Sequence, residues 1–274
     1  MTERFSSLRL FMLGALLFAI ADPNVGAAQA ADGFSSDRPG YSNSTSTAPR
    51  LRAITEFGVS ATIDEDDPET ISAPNLRIRF GLADHVELRL DVPGVTGVIA
   101  PGPNDVTFGD TTFGLKVGFA PNDVFSSSFV GSFSFDTDGG GGMTGRLEWN
   151  WAIALGIASI SGNLAGGTSP GGTVVGEGSV NLGINVSDRA GVYGQFFLVM
   201  PEDVDPMPYV GAGVYAQVAP RFQVDGYLDI GLTDATTRVT IGAGMTVLVG
   251  EGDEEPARPS PPPASQLPAQ DPNY

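Results

Sequence analysis

The chain has 274 residues, with 37 glycines, one histidine, no cysteine and a formal net charge of -18. This acidic balance excludes nucleic acid, and anionic surfaces in general, as partners bound through bulk charge. The absence of cysteine excludes a disulfide framework, so stability must come from a sizeable core, a closed sheet or a membrane.

Residues 1–30 predict a cleaved signal peptide. Arg4 and Arg9 precede an apolar run over 10–21, and Ala28-Gln29-Ala30 has the small-x-small pattern that signal peptidase recognises. The run is too short to cross a hydrocarbon core as a helix, and no later stretch reaches the ~20 apolar residues that a spanning helix needs. We therefore expect an exported mature chain without a helical anchor.

The next segment, residues 31–50, contains the charged sequence Asp37-Arg38-Pro39-Gly40. Two placements are open if the strands that follow close into a barrel. The segment either forms a plug inside the barrel, with Arg38 paired to a lumen carboxylate such as Glu56, or makes a periplasmic turn.

Period-2 alternation of apolar and polar residues recurs over 51–249 and predicts strands throughout this region. Eleven strands are expected, and a further strand hidden near 157–164 would bring the total to an even number. The eleven lie at 51–61, 74–82, 85–92, 111–119, 124–135, 145–154, 173–186, 190–200, 208–218, 221–231 and 237–249.

The strand pattern favours an all-β fold, a closed antiparallel transmembrane β-barrel in the Gram-negative outer membrane. Strands of about nine to eleven residues with one apolar face, together with the signal peptide, are typical of such barrels. About 12 strands are expected, and eight or ten are the alternatives. A secreted soluble barrel or sandwich with its polar residues outward is the other interpretation.

Connection lengths support the membrane barrel, because outer-membrane barrels alternate long external loops with short periplasmic turns. Long connections are expected at 62–73, 93–110 and 136–144, and tight turns at 83–84 and 121–122. The alternation fails after the fifth connection unless the hidden strand is present.

Opposite charges alternate on the polar faces of the second and third strands. A hairpin through Ala83 and Asp84 would bring these side chains beside one another across the ladder. They would either form a salt-bridge network that holds the wall together or act as a charge filter, since rings of charged side chains set pore selectivity. The lumen and selectivity candidates are Asp37, Arg38, Glu56, Arg77, Arg79, Glu87, Arg89 and Asp91.

Several motifs resemble one known family. The motifs are the sequence 36–42 (Ser-Asp-Arg-Pro-Gly-Tyr-Ser), a first strand with Glu56, the run 76–82 leading into 85–89, and the later segments 222–225 and 231–233. They are similar to the outer-membrane transporter family named after the MetA pathway of phenol degradation. The resemblance implies an outer-membrane barrel that passes small solutes, among them organic or aromatic molecules. Such barrels usually end on an aromatic residue, whereas here Val249 is followed by a tail.

That tail, residues 250–274, contains seven prolines and several acidic residues. Proline removes the donors that a sheet needs, so this composition predicts a disordered or polyproline segment. We expect either a solvated appendage in the periplasm or a contact with a periplasmic partner there.

The sequence offers little for catalysis or metal binding, and we expect no enzyme activity, cofactor or metal. His85 is the only histidine and cysteine is absent, so the sequence lacks the side chains that a cysteine nucleophile or a zinc site with several histidine and cysteine ligands would need. A lipid hydrolase using one serine and one histidine is the enzymatic alternative, but His85 falls at a predicted periplasmic hairpin. The acidic runs at 64–69 and 136–139 are interpreted as loops rather than as a calcium site.

These observations predict a passive pore or transporter for a small-molecule permeant whose identity the sequence does not specify. The expected partners are outer-membrane lipid and the barrel-assembly machinery, and no nucleic acid. The alternative function is a structural or surface-interaction barrel with a blocked lumen.

Overall fold

The computed structural model describes residues 35–64, 69–92, 94–99, 106–120, 122–135, 142–169, 172–233 and 238–250. The predicted signal peptide and residues 251–274 of the predicted tail lie outside the described residues. Within the described ranges, no helix has both the length and the apolar character needed to cross a membrane.

The described residues form 14 β-strands, and every ladder between them is antiparallel. They are β1 (Ala53–Asp64), β2 (Glu69–Ala83), β3 (Val86–Val92), β4 (Val95–Ile99), β5 (Val106–Phe108), β6 (Thr111–Phe119), β7 (Phe125–Phe135), β8 (Met143–Leu155), β9 (Ala158–Thr168), β10 (Val174–Ser187), β11 (Ala190–Pro201), β12 (Met207–Ala219), β13 (Phe222–Gly231) and β14 (Arg238–Val249).

The sheet closes on itself because β1 pairs antiparallel with both β14 and β2. The short strands β4 and β5 pair with each other, and β4 also pairs with the first residues of β2. They extend the wall at one end beyond β3 and β6. Because β4 and β5 only extend the wall, the closed antiparallel barrel has 12 strands around its circumference, which confirms the predicted fold class.

The hidden strand is β9, which pairs with β8 and β10. A two-residue turn at Gly156 and Ile157 joins β8 to β9. Gly156 has φ 72°, a conformation that glycine adopts without steric cost. This single glycine is the turn signal that the sequence pattern did not reveal.

Two of the predicted long connections were wrong. β1 and β2 run through most of 62–73, and only residues 65–68 separate them. A register shift between Gly58 and Ser60 moves the inward phase of β2 from Asn75 to Ser72, and Ile71 is 41% exposed on the outer face. The strand therefore continues through an irregularity that interrupts the alternation seen in the sequence. The connection 93–110 contains β4 and β5 and is therefore partly strand.

The interior is polar and the exterior apolar, which is the reverse of a soluble protein. Arg79 and Lys116 are fully buried, whereas Leu147 and Val180 are 73% and 52% exposed. A small buried apolar cluster, Ala48, Ile54 and Leu248, lies where β1 begins and β14 ends. The soluble interpretation with polar residues outward is thus wrong, and lipid must cover the outer surface.

One end of the barrel has the short turns. Two-residue connections at 84–85, 156–157, 188–189 and 220–221 lie at the end where β1 begins and β14 ends. In outer-membrane barrels the short turns face the periplasm. The opposite end, which carries β4 and β5, is therefore external.

Candidate functional site in the barrel lumen

Residues 35–50, here called the luminal segment, lie inside the barrel. Near its beginning, the hydroxyls of Ser36 and Thr246 are 2.8 Å apart, and near its end the Ala48 amide donates to Glu87 Oε2 at 2.6 Å. Arg50 then bridges to Gly81 at the periplasmic end. The segment thus enters the lumen and returns to the periplasmic end. Of the two placements that the sequence left open, the structure has the segment inside the barrel and not a periplasmic turn.

Asp37 is the centre of the contacts that the luminal segment makes. Its side chain is fully buried and accepts a hydrogen bond from Arg89 Nη2 at 2.6 Å, with Lys116 Nζ and Arg79 Nη1 each 3.4 Å away and Arg77 Nη1 at 3.7 Å. Burial alone would raise the pKa of Asp37, but these four cations hold it well below the usual range. The carboxylate therefore stays ionised at neutral pH and attaches the segment to the wall.

Arg79 connects the wall to both limbs of the luminal segment. Its guanidinium donates to Glu87 at 3.0 Å, to the Ser35 carbonyl at 2.8 Å and to the Ser46 carbonyl at 2.8 Å. Glu56 Oε1, 3.3 Å from Arg79, also accepts the Asp37 amide at 2.8 Å. A buried guanidinium needs all of these acceptors, because an unpaired buried charge is strongly destabilising.

The predicted β2–β3 hairpin brings opposite charges together as expected. Arg77 lies opposite Asp91 in the ladder and donates to its two carboxylate oxygens at 2.6 and 3.1 Å. Arg79 lies opposite Arg89, and this like-charge pair is accommodated because Asp37 and Glu87 contact both guanidinium groups.

Arg38 pairs with a lumen carboxylate as expected, although the residue differs from the one suggested by the sequence. Arg38 pairs with Asp225 of β13, at 3.2 and 3.4 Å, instead of Glu56. A Cβ at either Gly58 or Gly244 would overlap the Arg38 guanidinium, so these two glycines leave the space that it occupies. The conformation of the Arg38 side chain therefore depends on glycines in β1 and β14, which are distant from Arg38 in the sequence.

Across the lumen, Tyr41 attaches the segment to β10 and β11. Its ring stacks on Phe197 with centroids 4.2 Å apart, and Phe197 stacks on Tyr209 at 4.6 Å. Its hydroxyl donates to Glu177. Burial, reinforced by the Glu177 carboxylate, raises the pKa of Tyr41, so the phenol remains a donor at physiological pH.

Asn43 joins the two sides of the lumen. Its Nδ2 donates to Glu148 at 2.6 Å, while its Oδ1 accepts from Arg77 at 2.8 Å and from Arg89 at 3.0 Å. Arg146 in turn bridges Glu148 and Glu177, at 2.9 and 2.8 Å. The top of the luminal segment therefore spans from β2 and β3 to β8 and β10.

A cavity of about 670 Å³ lies on the external side of this span. Residues 37–43 contribute its floor, and its walls carry two opposed groups of charges. One group belongs to β2 and β3 and the other to β8 and β10, and they are Arg77, Arg89, Asp91, Arg146, Glu148 and Glu177. This external vestibule is the candidate functional site.

The structure brings seven of the eight sequence candidates into one network, with Arg38 in a separate pair. Whether these residues set selectivity stays a prediction. Further residues join the network beyond these candidates, and the wall residues among them lie on the inward phase of their strands: Tyr41, Asn43, Lys116, Arg146, Glu148 and Glu177.

No group of three or more potential ligand side chains suited to a metal ion occurs within the described ranges. Asp64 lies 3.6 Å from Arg238. The acidic residues 65–67 and the run 136–139, which the sequence interprets as loops, lie outside the described residues.

A lipid-covered barrel with a charged, partly filled lumen defines the class: an outer-membrane β-barrel with a channel- or porin-like fold. More specifically, the chain belongs to the family described as "Putative MetA-pathway of phenol degradation", whose model matches residues 36–249. This match confirms the resemblance seen in the sequence, and it begins within the luminal segment.

Solved structures with a similar fold include an outer-membrane channel and porins. The COG4313 outer membrane channel from Pseudomonas putida F1 superposes with a TM-score of 0.62 at 11% identity, covering 77% of this chain and 99% of that one. The NanC porin gives 0.53 at 7%, and the KdgM porin in complex with disordered oligogalacturonate gives 0.51 at 9%, each covering 70% of this chain and 98% of the other. At these identities the likeness concerns the fold. None of the curated proteins is a recognisable relative.

Proposed function

We propose that this protein is an outer-membrane channel through which small polar solutes diffuse passively, with the luminal segment as its constriction. The observation that carries this proposal is the external vestibule of about 670 Å³, which leads from the outer end of the barrel to residues 37–43. The luminal segment is held in the lumen mainly by side-chain contacts, with a backbone bridge to the wall at Arg50, close to where β1 begins.

The charged side chains around Asp37 would form a salt-bridge network that holds the barrel wall together, and they would also act as a charge filter for permeating ions. Four cations face four carboxylates, so the inner cluster is neutral, and the group at Arg146 adds two carboxylates to one cation. This near balance supports weak ion selectivity, because pore selectivity follows the net charge of the constriction.

A barrel with a blocked lumen is the second candidate function. The contacts of the luminal segment favour it, since they reach β1, β2, β3, β6, β7, β8, β10, β11, β13 and β14. The two candidates differ in whether ions pass while the segment is docked.

Planar-bilayer recording distinguishes them. The purified full-length protein should show a small conductance, and a variant lacking residues 36–47 should show a larger one. If the full-length protein is silent while the deletion variant conducts, the barrel is blocked in its docked state. If neither conducts, the channel proposal is wrong.

A further inference from the structure

Four side chains form one continuous row across β7 to β10 on the lumen side of the wall. They lie directly opposite one another in the ladders and are buried, with exposed fractions between 0 and 6%. We call this set the amide row, and its members are Ser128, Asn150, Asn163 and Ser179.

Most polar atoms of the amide row have no hydrogen-bond partner among the described residues. Ser179 donates to Asn163 Oδ1 at 2.6 Å. By contrast, Ser128 Oγ, both amide atoms of Asn150 and Asn163 Nδ2 are buried and unpartnered. Buried polar groups without partners are rare and destabilising, so each one calls for a physical explanation. A bound solute or water molecule could donate and accept the missing hydrogen bonds.

The amide row contains no charged residue. On its periplasmic side, the next inward positions of the same strands are Ser126, Ala152, Ser161 and Asn181. On its external side, the two carboxylates Glu148 and Glu177 are both engaged by Arg146. An ion at the row would lose its hydration without gaining a counter-charge there, whereas a neutral solute would not meet that penalty.

Residues 42–45 of the luminal segment approach the row and are held by hydrogen bonds of neutral side chains: Asn43 bonds to Glu148, Arg77 and Arg89, and Ser44 donates to Asp37 Oδ1. The described contacts of this limb with β7 and β10 are the pair of hydroxyls Thr45 and Ser126, 2.6 Å apart, and the bond from Asn181 Nδ2 to Ser42 Oγ. The opposite limb is held by the ion pairs of Asp37. Displacement of residues 42–45 would break these hydrogen bonds but none of the ion pairs of Asp37, so it would uncover the row while Asp37 stays docked.

We propose that the amide row is a binding subsite for small uncharged polyhydroxylated solutes on the permeation path. The proposal rests on the channel function and names the solute class for it. Asparagine amides offer both donors and acceptors, and serine hydroxyls offer either, which matches a chain of hydroxyl groups. The row crosses four strands and is roughly 14 Å long, enough for a five- or six-carbon polyol to contact several of its members.

Liposome swelling with the full-length protein tests this subsite. Sorbitol and gluconate share a six-carbon skeleton and differ in charge, and sorbitol should enter faster. Asn150→Leu and Asn163→Leu keep the side-chain size and remove hydrogen bonding, and each should lower the ratio of sorbitol to gluconate entry about fivefold, the effect of roughly one lost hydrogen bond. Thr62→Val is the matched control, because Thr62 pairs with Thr240 on β1 and β14, away from the row.

Folding of each variant is checked by its faster migration on gels before boiling. If a leucine variant fails to assemble, Asn150→Ser, which retains a hydroxyl, should still lower the ratio. An unchanged ratio in every folded variant would mean that the amides bind trapped water alone, and equal loss of both solutes would mean a general obstruction. Either result overturns the subsite and leaves the channel intact. The absence of both swelling and conductance would instead overturn the channel itself.

Discussion

Two sides of the lumen hold the luminal segment in different ways. On the charged wall, built from β1, β2, β3 and β6, Asp37 lies within 3.7 Å of four cations, and Arg79 binds both limbs of the segment. On the amide wall, β7 to β10, only neutral side chains of the segment make contact: Asn43 donates to Glu148 and Tyr41 to Glu177, while Thr45 and Ser42 each make a single hydrogen bond. One side therefore holds the segment by buried ion pairs, and the other side holds it by hydrogen bonds alone.

This arrangement lets a lumen contain a fixed constriction and still offer a path. Buried ion pairs depend on geometry, and removing one partner is far more destabilising than removing a neutral hydrogen bond. Motion of the segment should therefore begin at the amide wall. The four predictions that follow test this asymmetry, beginning with the largest expected effect.

Asp37→Ala should release the luminal segment from the charged wall. The change leaves Arg79, Arg89 and Lys116 short of a carboxylate, and breaking a buried ion pair costs about 3–5 kcal/mol. We expect a larger single-channel conductance and faster proteolysis of the segment in detergent. Asp84→Ala, at an exposed periplasmic turn, is the control and should change neither. Unchanged conductance and proteolysis in the Asp37 variant would contradict the charged-wall account.

Leu88→Arg should impair assembly, because Leu88 is 46% exposed on the outer face of β3. Arginine in lipid costs about 2–4 kcal/mol near the bilayer midplane. Its neighbour Arg89 faces the lumen, so Arg89→Leu should assemble better but weaken docking of the segment. The folded fraction on unboiled gels measures assembly, with Leu88→Phe as a control. Equal assembly of both variants would mean that the charged wall has been placed on the wrong face.

Docking should be lost only in strong acid. The pKa of Asp37 in the docked state is depressed, so its stabilising contribution is complete above the unperturbed value of about 3.9 and is lost as the pH falls below it towards the docked value. Conductance should therefore be constant from neutral pH down to about pH 4 and rise below it. The charged groups near Asp37 are Arg77, Arg79, Arg89, Lys116, Glu56 and Glu87.

Two of those neighbours, Glu56 and Glu87, can also take up protons, so Asp37→Asn serves as the control. This variant should show raised conductance already at neutral pH and a weaker acid response. A rise in wild-type conductance that begins well above pH 4 would instead show that another group controls docking.

Thr45→Val should have the smallest effect. It removes one hydrogen bond to Ser126 on the amide wall, a loss of about 0.5–1.5 kcal/mol. We expect briefer closed periods in single-channel records with little change in thermal stability. A double-mutant cycle with Ser126→Ala checks the pairing, since the two losses should not add. An effect as large as that of Asp37→Ala would refute the asymmetry between the walls.

The fold class and most of the polar lumen could be predicted from the amino-acid sequence. Strict alternation in strands such as 76–82 and 85–92 assigns each side chain to one face, so Arg77, Arg79, Glu87 and Arg89 had to lie together on the face opposite Leu88. The twelfth strand also followed from the connection pattern. These features are local, because the period of two and the length of a strand depend only on neighbouring residues.

The path of the luminal segment and its contacts could not be predicted from the sequence, because they depend on how the barrel closes. The pairing of Arg38 with Asp225 spans 187 positions, and it depends on the space above Gly58 and Gly244, which belong to separate strands. The unpartnered amides of Asn150 and Asn163 likewise become notable only when closure of the barrel buries them. Such contacts arise because ring closure brings distant strands around one lumen, and no local pattern encodes that geometry.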